Sequence, residues 1–381
     1  MRPALFINDL RSGGAERLVA DLAVELAGLE GVDPLVIVAD DLGGFREEIE
    51  SAGVTVRSLD VPVTTVGIPP GVRALGRVIR EERVDLVHSH LPYAHVVGRA
   101  ACLRTRTPHV STYHNVRDHK TLPRRLAERM TEPLSKRIVC VSEGVWHSYG
   151  GGGRFVVIPN AIDVPAFEAR IAAADTGVVD DHEEGETVLL NVARCVEQKR
   201  QADLIEAMAD LRDDPVHLYL VGDGPLRGDL EREVVAADLA DSVTVTGFVE
   251  SVAPYYAVAD AFVSASSNEG LPTTHIEAMA ARLGIVSTRI PGVTELVTDG
   301  ETGFLCPVGD TGSLAGAMRA ITTEKAEQFG ERGYERARSD YSLERITRDH
   351  YDLYADLLGE NTSTRPRSHR EPLSEDASTG Q

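Results

Sequence analysis

Residues 267–280, Ser-Asn-Glu-Gly-Leu-Pro-Thr-Thr-His-Ile-Glu-Ala-Met-Ala, hold the side chains best suited to do chemistry. The apolar run 261–265 predicts a buried strand, Gly270 and Pro272 end it, and Thr273-Thr274 open a helix that continues through Met279. The first amides of a helix lack intrahelical partners and point outward, so this strand-turn-helix unit can hold an anion. Glu269 stands on the turn and Glu277 lies one helical turn in. Carboxylates repel a phosphate, but they suit hydroxyl groups on either side of one, which is what a sugar nucleotide presents. Glu277 has a second reading. Thr274-His275-Ile276-Glu277 fits a capping box, in which its carboxylate reaches back to the cap amide.

Three further stretches could act with this one. Gly13-Gly14 follows the first apolar run and precedes a helical pattern, so the backbone there can approach a ligand closely; equally, such a pair can be a tight turn. Arg194 and Lys199 follow a later apolar run at five-residue spacing, a planar fork and a point charge that suit a pyrophosphate, unless they are ordinary surface charge. His88, His90, His95, His109, His114 and His119 cluster in sequence, but their spacing fits no zinc pattern and no helical His-Glu-x-x-His occurs. His114 ends a strand pattern, where a side chain is delivered toward a cleft or simply hydrogen-bonded at the strand end.

The segment Glu269-Gly-Leu-Pro-Thr-Thr-His-Ile-Glu277-Ala-Met-Ala resembles the signature of family-four retaining glycosyltransferases, and the likeness extends from about residue 3 to about residue 355. The resemblance implies the glycosyltransferase B fold, an α/β fold of two doubly wound Rossmann-like domains facing a cleft. It implies transfer of a hexose from a UDP- or GDP-sugar to a hydroxyl of a glycan or lipid-linked acceptor, with retention at the anomeric carbon and the leaving phosphate taking the acceptor proton. Arg194, Lys199 and the amides at Thr273 and Thr274 would offset charge on the departing diphosphate. Glu277 would hold the ribose and Glu269 the sugar hydroxyls, with Gly270, Leu271 and Pro272 completing the donor pocket. The resemblance further places His114 beside the donor sugar and Gly13-Gly14 over the diphosphate or at the acceptor side. It places Gly247, Phe248 and Val249 at the base, which is met largely through backbone atoms. Glu295 falls near the cleft with an open role. No cofactor and no metal are implied, and the lack of G-x-G-x-x-G weighs against a dinucleotide. Two rivals share the fold: a sugar-nucleotide 2-epimerase, which the Glu269 to Glu277 motif disfavours, and an inactive sugar-nucleotide-binding partner, against which the intact Glu269, Glu277, Arg194 and Lys199 argue.

The elements that position these residues alternate. Strands are predicted at 4–8, 35–39, 54–59, 86–89, 109–113, 138–142 and 156–159, and again at 188–192, 217–221, 243–246, 261–265 and 285–287. Helices are predicted at 15–26, 71–82, 201–211, 226–237 and 274–282. Such alternation means parallel sheets with ligands at the carboxyl ends of the strands. The expected organisation is a first, acceptor-side domain over 1–163, a linker or insertion over 164–186, and a nucleotide-sugar domain over 187–342. An amphipathic helix over 343–358 is implied by the resemblance to cross back to the first domain, and a polar, disordered tail occupies 359–381.

Composition bounds the rest. The 381 residues are 42% hydrophobic, ample for two cores, and the formal net charge of -21 argues against nucleic acid as a partner. No apolar run approaches the ~18 residues of a membrane span, and the apolar start, 4–7, is too short for a signal peptide. Four scattered cysteines fit a reducing cytoplasm. One segment reverses the sign: residues 99–137 carry ten basic residues, among them Arg99, Arg124, Arg125 and Arg129, against three acidic ones. Leu122, Leu126, Met130 and Leu134 repeat there at four-residue spacing. This predicts either a core-facing helix with a solvated basic face or a contact with an anionic membrane surface, which would place the protein peripherally at the inner face of the membrane.

Overall fold

The computed structural model describes residues 1–11, 13–40, 43–117, 128–321 and 323–360. Seven strands, β1 (Pro3–Ile7), β2 (Leu35–Val38), β3 (Thr55–Ser58), β4 (Leu86–His90), β5 (His109–Tyr113), β6 (Arg137–Cys140) and β7 (Phe155–Val157), form one sheet. Its order is β3-β2-β1-β4-β5-β6-β7. Six more, β8 (Thr187–Val192), β9 (Val216–Val221), β10 (Val243–Gly247), β11 (Ala261–Ser264), β12 (Gly284–Thr288) and β13 (Gly303–Cys306), form a second sheet in the order β10-β9-β8-β11-β12-β13. All the strand pairs are parallel. Helices cover both faces, so the inner strands are apolar along their whole length: every residue of β1, β2 and β11 is buried. In both sheets the strand order reverses beside the first strand, at β1/β4 and at β8/β11. Connections leave in opposite directions there, and a crevice opens at the carboxyl ends.

The two domains share an apolar interface. Tyr113, Cys140 and Val145 of the first lie in one buried cluster with Leu271, Ile276, Val293 and Leu296 of the second. The chain crosses between domains at two points that are tied together: the Ile162 amide donates to the Tyr341 carbonyl (3.2 Å) and the Leu343 amide to the Ile162 carbonyl (2.9 Å). Beyond this junction the helix Leu343–Leu358 lies on the first domain, burying Leu343, Ile346, Leu353 and Tyr354 with Leu5, Val19 and Leu22. Each such apolar side chain contributes about 1.5–3 kcal/mol.

Several elements differ from the sequence expectation. The helix expected over 71–82 begins earlier, as Ile68–Glu81. Pro69 and Pro70 fall in its first turn, where a missing N–H breaks no hydrogen bond. Residues 164–186 hold a helix, Val164–Ala172, with the Asp163 side chain accepting from the Ala166 amide (3.0 Å). Phe167 meets Tyr256 edge to face at 5.3 Å, and Val164, Phe167 and Val179 are buried in the cluster that spans the interface. Few apolar anchors in an acidic, Ala- and Gly-rich stretch leave only a weak periodic signal. The strand β13 and the helix Thr323–Asp340 have no counterpart among the elements expected from the sequence.

Arg99 requires a correction. Its place in the basic segment 99–137 suggests a surface charge, but it is fully buried. Its guanidinium donates to Ser135 Oγ (2.9 Å), Thr131 Oγ1 (3.1 Å), Ser111 Oγ (3.1 Å) and the Tyr113 hydroxyl (2.8 Å). The helix Pro92–Thr105 turns this face onto β5, so the charge is met by hydroxyls rather than water. His119, Lys120, Leu122, Arg124, Arg125 and Leu126, together with the tail over 361–381, lie outside the described residues.

Candidate functional site

The loops after β1 and β5 of the first sheet meet those after β8 and β11 of the second. Lys199, in the single helical turn Glu197–Lys199 after β8, donates to Glu269 Oε1 at 2.5 Å. Neighbouring bonds hold the two loops in register: the Ser267 amide donates to the Gln198 carbonyl (2.9 Å), and Gln198 Nε2 donates to the Asn268 carbonyl (2.5 Å). The pair is mostly enclosed, with 20% of the Lys199 side chain and 9% of Glu269 exposed. Gly270 is a site of close approach, because a Cβ there would lie 1.9 Å from the His114 carbonyl oxygen. The turn carrying Glu269 is therefore pressed against the chain at His114.

Across the cleft, the helix Gly14–Ala27 starts at Gly13. A Cβ on Gly14 would sit 3.1 Å from Thr273 Oγ1, so the two helix N-termini face each other at contact distance. The Glu16 carboxylate folds over Gly13, and burial pushes its carboxyl above the usual range, opposed by its own amide, Arg194 and Arg11. Arg194 is thus in the field of the first domain. Its side chain is exposed and has no hydrogen bond or ion pair among the described residues.

Glu277 is decided by where the helix begins. Thr273–Ala280 takes Pro272 as its N-cap, in extended conformation, with no side-chain capping bond. Thr274 is already inside the helix, so the capping box is not formed. Glu277 Oε2 instead accepts from the Tyr256 hydroxyl at 2.9 Å. Burial holds the Glu277 carboxyl above its ordinary range, against the opposing pull of Tyr256, Arg170 and Arg17. His275 turns to the opposite side, where its Nε2 meets Ser287 Oγ at 2.9 Å and burial lowers the imidazole to about 3.

Phe248 is 68% exposed on the loop after β10, whereas Val249 packs against the interface cluster. Before it, the Gly222 amide donates to the Gly247 carbonyl (3.1 Å) and the Cys195 amide to the Asp223 carbonyl (2.9 Å). These bonds draw the ends of β8, β9 and β10 into one floor beside Arg194. Glu295 has a different task. Its carboxylate accepts from the Glu143 and Gly144 amides, at 2.8 Å each, and so caps a first-domain helix from the second domain. The pairings of Tyr256 with Glu277, of His90 with His114 and of Glu295 with the Glu143 and Gly144 amides escaped sequence reasoning because each joins groups 21 to 152 residues apart.

Paired doubly wound domains with converging loops define the glycosyltransferase B architecture. Two family models match, Glycosyltransferase Family 4 over residues 12–165 and Glycosyl transferases group 1 over residues 186–324. The chain belongs to these group 1, family-four glycosyltransferases. The lipopolysaccharide core biosynthesis glycosyltransferase LpsE of Rhizobium meliloti is 28% identical over 363 residues, 91% of this chain and 96% of its own. A phosphatidyl-myo-inositol mannosyltransferase of Mycolicibacterium smegmatis is 29% identical over 327 residues, covering 82% of this chain and 80% of its own. HepE of Anabaena, solved with UDP-glucose, aligns with a TM-score of 0.81 at 22% identity over 93% of this chain and 100% of its own.

Proposed function

We propose that this glycosyltransferase moves a hexose from a UDP- or GDP-sugar to a hydroxyl of a glycan or lipid-linked acceptor, with retention and without a metal ion. The observation that carries this reading is the convergence of the Lys199–Glu269 pair, Arg194 and the Thr273 helix start on one cleft, opposite Gly14 and beside His114. Arg194, Lys199 and the Thr273 and Thr274 amides stabilise charge on the leaving diphosphate, and such stabilisation usually does more than any other effect to lower the barrier. Glu269 holds sugar hydroxyls and orients Lys199, Glu277 holds the ribose and is itself held by the buried Tyr256 hydroxyl, and Gly270, Leu271 and Pro272 shape the pocket. Phe248 and Val249 border the base. A nucleotide-sugar donor is supported by HepE with UDP-glucose, and a glycan or lipid acceptor by the names of LpsE and the mannosyltransferase. The test is turnover of a panel of UDP- and GDP-sugars, with the product anomer read by proton NMR in the presence of a chelator. The same anomeric configuration in donor and product, at an undiminished rate, is expected. An inverted product removes retention, and a rate restored only by added magnesium or manganese removes metal independence.

We further propose that the enzyme works at the cytoplasmic face of an anionic membrane. Leu103 is 64% and Met130 72% exposed, and Arg104, Arg106, Arg129 and Lys136 are exposed on the same segment of the chain. Each basic residue near such a surface contributes about 1 kcal/mol, less as salt rises. No helix among the described residues is long and apolar enough to span a bilayer. Co-sedimentation with vesicles containing anionic lipid should fall about tenfold or more when Arg104, Arg106 and Arg129 are changed together to Gln. Binding that ignores lipid charge rules this patch out.

A further inference from the structure

We propose that His90 is a positioning residue for His114, which it holds through Nδ1 so that the proton of the site histidine is fixed on one nitrogen. This rests on the reading of His114 as a contact of the donor sugar and deepens it. His90 closes β4, His114 follows β5, and the strands pair with His90 opposite Thr112. The two imidazoles meet at 3.1 Å, His90 Nδ1 to His114 Nε2. His90 is fully buried, and its Nε2 has no hydrogen-bond partner among the described residues. Its ring lies 4.4 Å from that of His88. His88 is itself held on both nitrogens, by the Tyr354 hydroxyl and Thr112 Oγ1, at 2.6 Å each. The backbone then turns through Leu91 at φ 72 and ψ 154, a region that glycine alone adopts freely. Packing, not local preference, therefore sets the direction of His90.

These contacts select a tautomer. Burial lowers His90 well below the ordinary histidine value, and the ionisable groups acting on it are His88, His114 and His350, with no carboxylate among them. The ring is neutral and carries one proton. With that proton on Nε2, a buried N–H would lack an acceptor, which proteins avoid more strictly than an unmet acceptor. The proton thus sits on Nδ1 and is donated to His114 Nε2. Neutral His114 must then carry its own proton on Nδ1. On that side His114 acts as a hydrogen-bond donor, and its basic nitrogen is committed to His90.

The test reads the tautomer directly. Long-range proton-nitrogen correlation spectra of the full-length, nitrogen-15-labelled chain near neutral pH, with His114 assigned through His114→Gln, should show Nδ1 protonated and Nε2 not. His90→Asn places an amide donor where Nδ1 stood, and should keep this pattern with kcat for the best UDP- or GDP-sugar within about threefold of the parent. His90→Phe should mix the tautomers and lower kcat about tenfold, with a smaller change in KM. A wild-type His114 protonated on Nε2 overturns the proposal, and that spectrum requires no variant to fold. Mixed tautomers in His90→Phe with unchanged kcat would uphold the positioning role and instead remove His114 from the reaction.

Discussion

Glu269→Ala is expected to lower transfer about a thousandfold and the unfolding midpoint by about 5 °C. Both effects come from one contact. Glu269 accepts from Lys199 at 2.5 Å in a largely enclosed pair, so its removal strands an ammonium that water reaches only in part. Breaking a fully buried pair costs about 3–5 kcal/mol. Here a fifth of the Lys199 side chain remains exposed, so about 2 kcal/mol is the better figure, a shift of several degrees for unfolding of the second domain, which holds both residues. The catalytic loss is larger because two functions fail together. Charge-assisted hydrogen bonds to sugar hydroxyls, each worth about 1.5–3 kcal/mol, disappear, and Lys199 loses its orientation toward the diphosphate. The double variant Glu269→Gln with Lys199→Met separates the contributions, since it leaves no stranded charge. It should recover most of the stability and little of the activity. Recovery of both would make the pair a structural device and nothing more.

Arg194→Ala is expected to weaken nucleoside diphosphate binding roughly tenfold to hundredfold, measured by calorimetry, with less than about threefold loss for the monophosphate or nucleoside. Unlike Lys199, Arg194 is exposed and has no ion pair among the described residues, so its removal should leave the melting temperature nearly unchanged. Added salt should erode the parent's advantage, because an exposed charge is screened. Equal loss for all three ligands would eliminate Arg194 as a pyrophosphate contact.

The sequence by itself determined the periodic parts of the fold. Apolar runs in a parallel sheet are buried on both faces, so β5 was legible to its end residues and β8, β9 and β11 to within one residue at either end. The strand-turn-helix unit from Glu269 to Glu277 was equally plain, because Gly270 and Pro272 act on their own backbone. β13 was missed because a short run framed by glycine and proline, Gly303–Cys306, resembles a loop until a neighbouring strand supplies its hydrogen bonds. The pairings around the cleft were beyond reach for a different reason. Lys199 meets Glu269 across 70 residues, Tyr256 meets Glu277 across 21, and the Glu143 amide meets Glu295 across 152. The capping box matched the local sequence as well as any ligand role did, but the helix takes Pro272 rather than Thr274 as its N-cap, two residues earlier than the box requires. Arg99 looked like surface charge because composition cannot say which face of a helix meets a sheet. Local chemistry fixes where strands end and helices start. Which side chains those ends bring together is set by strand order, since crossovers between parallel strands gather residues distant in the chain at the one edge where the sheet opens.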